Sequence, residues 1–198
     1  MKRVIKSLIL TAVVALVLAP MQARADGWVT PWIGTAFGSS IDNGRGTFGI
    51  SAGGMGAGGV VGAEFDFGYN PSFFGTQTDF GNNSVLNFMG NVIVGVPIGG
   101  TYGKGVRPYV LAGVGLIRSQ LDGVNNANLF RPASSDNMFG WDAGAGVMGF
   151  FNDHIGLRGE IRYLRGTHDM NASTGINSVD FNGNKLHFWR PSIGVVFR

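Results

Sequence analysis

Segments of about ten residues that alternate between apolar and polar or small side chains constrain the fold of this chain most. In residues 60–69, Val61, Phe65 and Phe67 fall on one face, and Glu64 and Asp66 fall on the other. A two-residue period is the pattern of a β-strand, whose successive side chains point to opposite faces. The pattern predicts eight strands. They cover residues 28–37, 48–56, 60–69, 86–96, 107–117, 139–151, 155–163 and 189–197. Both faces of residues 28–37 carry apolar side chains, so the pattern does not assign the sides of this strand.

The predicted connectors alternate between long and short along the chain. The long ones are rich in Asn, Asp, Ser and Gly and cover residues 39–46, 70–83, 119–137 and 167–183. The short ones cover residues 57–58, 97–104 and 152–154. Outer-membrane barrels show this alternation, with long loops outside the cell and short turns in the periplasm. An even number of strands places both chain ends on the side of the short turns.

The first 25 residues have the features of a secretory signal peptide. Lys2, Arg3 and Lys6 precede an apolar run at residues 8–19, and Ala23-Arg24-Ala25 is a small-x-small cleavage site. A transmembrane helix needs about 17–25 apolar residues, so this run is too short to span a membrane. We expect cleavage after Ala25, which leaves residues 26–198 as one domain.

The basic character of the whole chain comes from this leader. The chain has 15 Lys and Arg against 12 Asp and Glu, and the leader contains four of the basic residues and no acidic residue. Cleavage leaves 11 basic and 12 acidic residues, so charge gives no argument for a nucleic-acid partner. All 34 Gly follow residue 25 and there is no Cys, which excludes a disulfide-stabilised domain.

The polarity of the two strand faces favours a membrane barrel over a soluble one. One face of several strands is large and apolar, while the other mixes Gly with charged residues. The interior of an eight-stranded barrel has room for side chains and little else, so the apolar rows must face outward, towards lipid. Closure also satisfies every backbone polar group without water. Aromatic residues near the strand ends suggest interfacial girdles. They are Trp28, Trp32, Phe67, Tyr69, Tyr109, Trp141, Phe151, Tyr163, Trp189 and Phe197. The alternative is a soluble periplasmic barrel or sandwich with core aromatics.

Three short stretches resemble the small outer-membrane barrels of the OmpA and OmpX type. Residues 107–115 (Arg-Pro-Tyr-Val-Leu-Ala-Gly-Val-Gly) resemble their fifth strand, and residues 156–163 resemble their seventh. Residues 188–190 and 194–198 resemble their closing strand. The fold expected from pattern and resemblance together is all-β, an eight-stranded antiparallel transmembrane up-and-down β-barrel preceded by a cleaved signal peptide.

The resemblance also implies a location and partners. It implies a bacterial outer-membrane protein that contacts lipids and lipopolysaccharide, is inserted with the help of periplasmic chaperones and the barrel assembly machinery, and is a monomer. In such barrels the assembly machinery reads a closing strand that ends in an aromatic residue. The residues of this chain that match the signal are Trp189, Ile193, Val195 and Phe197, with Arg198 after them.

Charged residues on the inward faces are the candidate functional site. They are Glu64, Asp66, Arg107, Asp142, Arg158, Glu160, Arg162 and Arg190. Unpaired buried charge is costly, so we expect these four acids and four bases to form an ion-paired plug, with Glu64 and Glu160 paired to arginines. The functional alternative is a polar ring that selects solutes in a narrow channel.

Other motifs give weak signals for chemistry. Gly54, Gly56 and Gly59 match G-x-G-x-x-G, as do Gly144, Gly146 and Gly149, but no helical pattern follows either match. The stretch 168–173 has the residue types of a lipid A deacylase, with His168, Asp169 and Ser173, but not the compact spacing we associate with that activity. We expect no catalytic, cofactor or metal site. The favoured function is a non-enzymatic barrel for envelope integrity or surface contacts through its long loops, and the alternatives are a narrow porin-like channel and a lipid A-modifying enzyme.

Overall fold

The chain folds into a closed eight-stranded antiparallel β-barrel. The computed structural model describes residues 26–38, 41–56, 58–73, 83–100, 103–121, 125–126, 129–130, 134–167 and 186–198. The barrel strands are β1 (Asp26–Gly38), β2 (Ile41–Met55), β3 (Val61–Pro71), β4 (Asn83–Gly95), β5 (Gly105–Leu121), β8 (Ser134–Phe150), β9 (Ile155–Gly166) and β10 (His187–Phe197). Between β5 and β8, two short strands, β6 (Asn125–Asn126) and β7 (Leu129–Phe130), pair with each other. Around the barrel the order is β1-β10-β9-β8-β5-β4-β3-β2, so the predicted up-and-down barrel is confirmed.

Each of the eight predicted strand segments falls on a different barrel strand, but one predicted connector is wrong. β1 ends at Gly38 and β2 already begins at Ile41, so residues 41–46 of the expected long loop belong to β2 instead. The ladder pairs Thr35 with Gly46 and Ala36 with Arg45. Backbone hydrogen bonds continue through this polar, Gly-rich stretch because a ladder needs no particular side chain. The predicted signal peptide, residues 1–25, lies outside the described residues.

The connectors divide the barrel into two ends. At one end, β3 joins β4 through residues 72–82, β5 joins β8 through residues 122–133, and β9 joins β10 through residues 167–186. At the other end the connectors are residues 56–60, 96–104 and 151–154. We call these the long-connector end and the short-turn end. The start of β1 and the end of β10 both lie at the short-turn end.

Burial alternates along the strands as the two-residue period predicts. On β3, Phe65 and Phe67 are 45% and 41% exposed on the outer face, while Glu64 and Asp66 are buried inside. On β1, which sequence could not orient, Val29 lies outside. An apolar outer wall around a closed backbone ladder is the arrangement that the hydrocarbon layer requires. No helix in the described part of the chain is long and apolar enough to cross a membrane.

The aromatic residues divide between a girdle and the interior. Trp141 and Trp189 lie on either side of Tyr163 on the outer face, with ring centroids 5.6 and 5.0 Å from its ring. Trp28, Trp32 and Tyr109, which were also expected in girdles, instead point into the barrel and are buried, so that prediction is wrong for these three. Tyr109 suits this interior because its hydroxyl donates to Glu160, and Trp32 because its ring lies against the Arg190 guanidinium.

The interior is layered along the barrel axis. An apolar cluster fills the long-connector end, and a second lies towards the short-turn end. The first contains Ala36, Phe73, Val85, Met89, Ile117, Met138, Leu164, Leu186 and Phe188. The second contains Trp28, Met55, Ile93, Tyr109, Leu111, Met148, Phe150 and Val196. Phe73 follows β3 and Leu186 precedes β10, so residues beyond the strand ends help to fill the first layer. Most of the charged interior residues lie between these two layers. The others lie beyond the second layer, at the short-turn end.

Candidate functional site: the charged interior

Seven charged side chains meet in the middle of the barrel and form what we call the central charge cluster. Its members are Glu64, Asp66, Asp142, Arg158, Glu160, Arg162 and Arg190. They come from β3, β8, β9 and β10, and none is more than 8% exposed. Arg158, Glu160 and Arg162 alternate along β9, which places all three on its inner face. The cluster contains four carboxylates and three guanidinium groups.

Arg158 joins two carboxylates and a phenol. Its guanidinium pairs with both oxygens of Glu64 and also contacts Glu160. Its Nε donates to the hydroxyl of Tyr109 at 2.5 Å, and that hydroxyl donates to Glu160 Oε2 at 2.8 Å. The guanidinium also lies 5.0 Å from the centre of the Tyr109 ring. Arg158 is therefore held in a single geometry by groups from β3, β5 and β9.

Arg162 is the centre of the cluster. Its Nε donates to Glu160 at 2.9 Å, Nη1 donates to Asp142 at 2.9 Å, and Nη2 donates to Glu64 at 2.9 Å. Asp66 lies 3.6 Å from Nη1. In the amide orientation that suits both neighbours, Asn91 accepts from Arg162 at 2.8 Å and donates to Asp142. One buried cation thus contacts all four carboxylates.

Arg190 connects the cluster to β1. Its Nη2 donates to Asp66 at 2.7 Å, and its guanidinium carbon lies 4.1 Å from the centre of the Trp32 ring. Asp66 also accepts from Ser51 at 2.8 Å and from Asn87 at 3.2 Å. Asp66 therefore has three donors from three different strands. Trp32, Ser51 and Asn87 are uncharged, so the sequence does not distinguish them as members of the site. They lie here because each occupies an inward-facing position of its strand.

Arg107, the eighth predicted residue, lies apart from the other seven. It pairs with Asp26 near the short-turn end, where Arg198 contacts the same carboxylate. We call Asp26, Arg107 and Arg198 the terminal charge cluster. Sequence reasoning missed Asp26 and Arg198. Asp26 precedes Trp28 by two residues and shares its inward face of β1, but the sequence does not assign the sides of this strand and so gave no signal for it.

The central charge cluster closes the barrel to water at its level. The side chains of Asp66, Arg162 and Arg190 are fully buried. A continuous water column through this layer would leave some of their surface accessible. Side chains from the strands therefore fill the interior, as expected for eight strands.

The other motifs show no arrangement suited to catalysis or cofactor binding in the described residues. Gly144, Gly146 and Gly149 lie within β8, not before a helix N-terminus where a phosphate could bind. The described residues contain no group of three or more His, Asp or Glu side chains placed to hold a metal ion. The stretch 168–173, with His168 and Ser173, lies outside the described residues.

The four candidate assembly-signal residues share the outer face of β10. Trp189, Ile193, Val195 and Phe197 are all exposed on this face. β10 pairs with β1 on one side and β9 on the other, so it is one of the two strands at the closing seam of the barrel.

Comparison with known proteins agrees with this architecture. The family model for the outer membrane protein beta-barrel domain matches residues 9–196. The crystal structure of Neisserial surface protein A is similar, with a TM-score of 0.59 and 17% identity, covering 87% of this chain and 96% of that one. The N-terminal β-barrel domain of OprF from Pseudomonas aeruginosa is also similar, with a TM-score of 0.52 and 17% identity, covering 88% and 98%. No curated protein matches the chain.

Proposed function

Since the chain belongs to the outer membrane protein beta-barrel domain family, we propose that it is a non-enzymatic scaffold whose sealed barrel presents long connectors at the cell surface. The observation that carries this proposal is the burial of the central charge cluster, whose members are at most 8% exposed. A barrel filled by ion-paired side chains offers neither a solute path nor room for a substrate. The long connectors, which extend beyond the barrel wall, therefore carry the function.

The sequence of the long connectors supports a role in contacts. Residues 72–82, 122–133 and 167–186 are rich in Asn, Ser, Thr and Gly and contain several Phe, with few charges. Binding loops on rigid scaffolds often have such composition, because small polar side chains form adaptable hydrogen bonds and aromatic ones supply contact area. A neutral protein or glycan surface fits this composition better than a polyanion.

The proposal includes the route to the membrane and the surroundings there. The leader is cleaved after Ala25, and periplasmic chaperones deliver the chain to the barrel assembly machinery. That machinery reads Trp189, Ile193, Val195 and Phe197 on the closing strand. The protein is then a monomer, with outer-membrane lipids and lipopolysaccharide around its apolar wall. The exposed apolar residues of that wall and the Trp141, Tyr163 and Trp189 girdle support this placement.

Conductance tests the sealed scaffold against the channel alternative. We expect the refolded protein to give no stable, discrete openings in planar lipid bilayers. A wide porin added to the same bilayer is the control that shows the assay is sensitive. Reproducible steps of one size from this protein would contradict the proposal and favour a narrow channel.

Connector replacement tests the surface role. One variant replaces residues 74–82 and 169–184 with short Asn-Gly turns, and a matched control replaces residues 99–103 at the short-turn end. We expect the first variant to keep its heat-resistant mobility on detergent gels. Cells that express it should lose the adhesion that the parent protein supports, whereas the control should keep both properties. If the first variant keeps adhesion and envelope resistance alike, the connectors are not the functional surface. If expression alters lipid A mass and the connector variant does not, the enzymatic alternative replaces the proposal.

A further inference from the structure

The terminal charge cluster has more positive charge than its own carboxylate can neutralise. Asp26 lies 2.8 Å from Arg107 Nη1 and 2.5 Å from Arg198 Nε, and it also accepts from Arg198 Nη2 at 2.9 Å. Among the described residues, neither guanidinium is paired with another carboxylate. Two guanidinium groups therefore share one side-chain carboxylate, although the Arg107 side chain is 2% exposed and the Arg198 side chain 8%.

Two buried N–H groups of this cluster have no acceptor among the described residues, Nε of Arg107 and Nη1 of Arg198. Arg198 Nε lies 2.5 Å from Asp26 Oδ1, but without a well-directed hydrogen bond. The ion pair between Arg107 Nη1 and Asp26 is close in distance but poorly aligned as a hydrogen bond. Leaving buried donors of a charged group unsatisfied is costly, so native structures usually satisfy them.

The ring of Phe150 fixes the direction of these free groups. Arg198 stacks on this ring at 3.8 Å from its centre, and Arg107 lies 5.7 Å from the same centre. An aromatic face stabilises a cation but accepts no hydrogen bond in the plane of the guanidinium. Arg107 Nε and Arg198 Nη1 thus remain without an acceptor, and the edge of a guanidinium group matches two oxygens of a carboxylate or phosphate.

We propose that the terminal charge cluster is a binding site for a small oxyanion that enters the barrel from the short-turn end. The ligand bridges Arg107 and Arg198 opposite Asp26 and satisfies the donors that the protein leaves free. Because β1, β5 and the residue after β10 provide the three side chains, the bound anion also stabilises the closing seam between β1 and β10. The anion reaches the site from the periplasm, since the central charge cluster closes the barrel on the side of the long-connector end.

Titration with inorganic phosphate tests the site directly. We use the refolded full chain in a sugar-based detergent without phosphate, at constant ionic strength kept by a bulky organic sulfonate. We expect saturable binding by calorimetry and a matching rise in the unfolding temperature, since a ligand that binds only the folded state stabilises it. Absence of both would overturn the proposal.

Three variants separate the site from general charge effects. Arg107→Gln should weaken phosphate binding by about tenfold or more, because it removes a charge-assisted bond. Asp26→Asn should tighten binding, because it removes the competing anion. Arg118→Gln is the matched control, since Arg118 lies on β5 but is exposed near the long-connector end, and it should bind like the parent protein. Equal weakening by Arg107→Gln and Arg118→Gln would refute the site. If Arg107→Gln does not fold, tighter binding by Asp26→Asn remains the decisive result, and unchanged or weaker binding there would refute it.

Two sources of the oxyanion are distinguished by lipid composition. The protein is reconstituted in vesicles of phosphatidylethanolamine or of a galactolipid without phosphate, with no phosphate in the buffer. A soluble anion predicts equal unfolding temperatures in the two vesicles and a rise in both when phosphate is added. A higher temperature in phosphatidylethanolamine alone, abolished by Arg107→Gln, would identify a lipid headgroup and overturn the soluble ligand.

Discussion

Replacing Arg162 with Met should destabilise the barrel more than any other single change in the central charge cluster. The change keeps much of the apolar stem of the side chain but removes three hydrogen bonds to carboxylates, each 2.9 Å long. It leaves four carboxylates with two guanidinium groups. Removing one partner of a buried ion pair costs about 3–5 kcal/mol, and three partners are left here, so we take that range as the minimum. Proteins typically unfold with a free energy of about 5–15 kcal/mol, so this loss is large.

Asp142→Asn is the informative counterpart. The cluster has one carboxylate more than it has guanidinium groups, and Asp142 contacts a single guanidinium, that of Arg162. An Asn at this position still accepts from Arg162, but the amide of Asn91 can then match either the new N–H₂ group or the Arg162 guanidinium, and not both. We therefore expect a loss of about 1–3 kcal/mol, smaller than that of Arg162→Met, since the change removes the excess charge but leaves one buried donor unpaired.

Urea unfolding in lipid vesicles, followed by tryptophan fluorescence, measures both variants and the double variant. The linear dependence of the unfolding free energy on urea gives the comparison with the parent protein, and equal slopes show that the same surface is exposed. We expect the double variant to recover part of the loss caused by Arg162→Met, because one of the orphaned carboxylates is gone. An Arg162→Met loss below about 1 kcal/mol, or an Asp142→Asn loss as large as that of Arg162→Met, would refute the charge accounting.

Three further predictions, which use four substitutions, test the wall and the interior packing. A Cβ on Gly49 would lie 2.0 Å from the carbonyl oxygen of Phe67 and 2.4 Å from the Trp32 ring, so Gly49→Ala should cost about 1–3 kcal/mol, whereas Gly159→Ala, with nothing within 4 Å, should be close to neutral; equal effects would contradict the packing. Val114→Lys places a charge on the outer wall near the middle of β5 and should cost about 2–4 kcal/mol in lipid, while a negligible loss would contradict the membrane position. Trp32→Leu removes the ring below the Arg190 guanidinium and should lose about 2 kcal/mol of cation–π stabilisation, and heat resistance equal to that of the parent would contradict that contact.

The barrel itself was predictable because lipid and a crowded interior impose opposite requirements on neighbouring residues. Phe65 and Phe67 require one face and Glu64 and Asp66 require the other, so a short stretch of sequence determines the orientation of β3. The orientation of β1 could not be predicted in this way. Trp32 and Ile33 are both apolar, and the residue that favours Trp32 inside is Arg190, which is remote in sequence and adjacent only after closure. The early start of β2 was not predicted for a related reason. Gly46 belongs to the ladder because its backbone pairs with Thr35, and its own side chain gives no strand signal.

The position of a charge along the barrel axis is a separate quantity from the face on which it lies, and the two-residue period determines only the face. Arg107 and Arg158 both point inward, but their heights depend on the offset between strands, which closure of the barrel sets. The register pairs Arg107 with Met148, and Met148 in turn with Arg158, yet the inclined strands place Arg158 beside Tyr109 and Glu64 and leave Arg107 beside Asp26. A balanced count of four acids and four bases therefore conceals two sites of opposite excess charge. The central charge cluster has one carboxylate too many and is buried between apolar layers, whereas the terminal charge cluster has one guanidinium too many at the short-turn end. It is this separation, and not the total charge, that makes the end of the barrel and not its middle the place for an anion to bind.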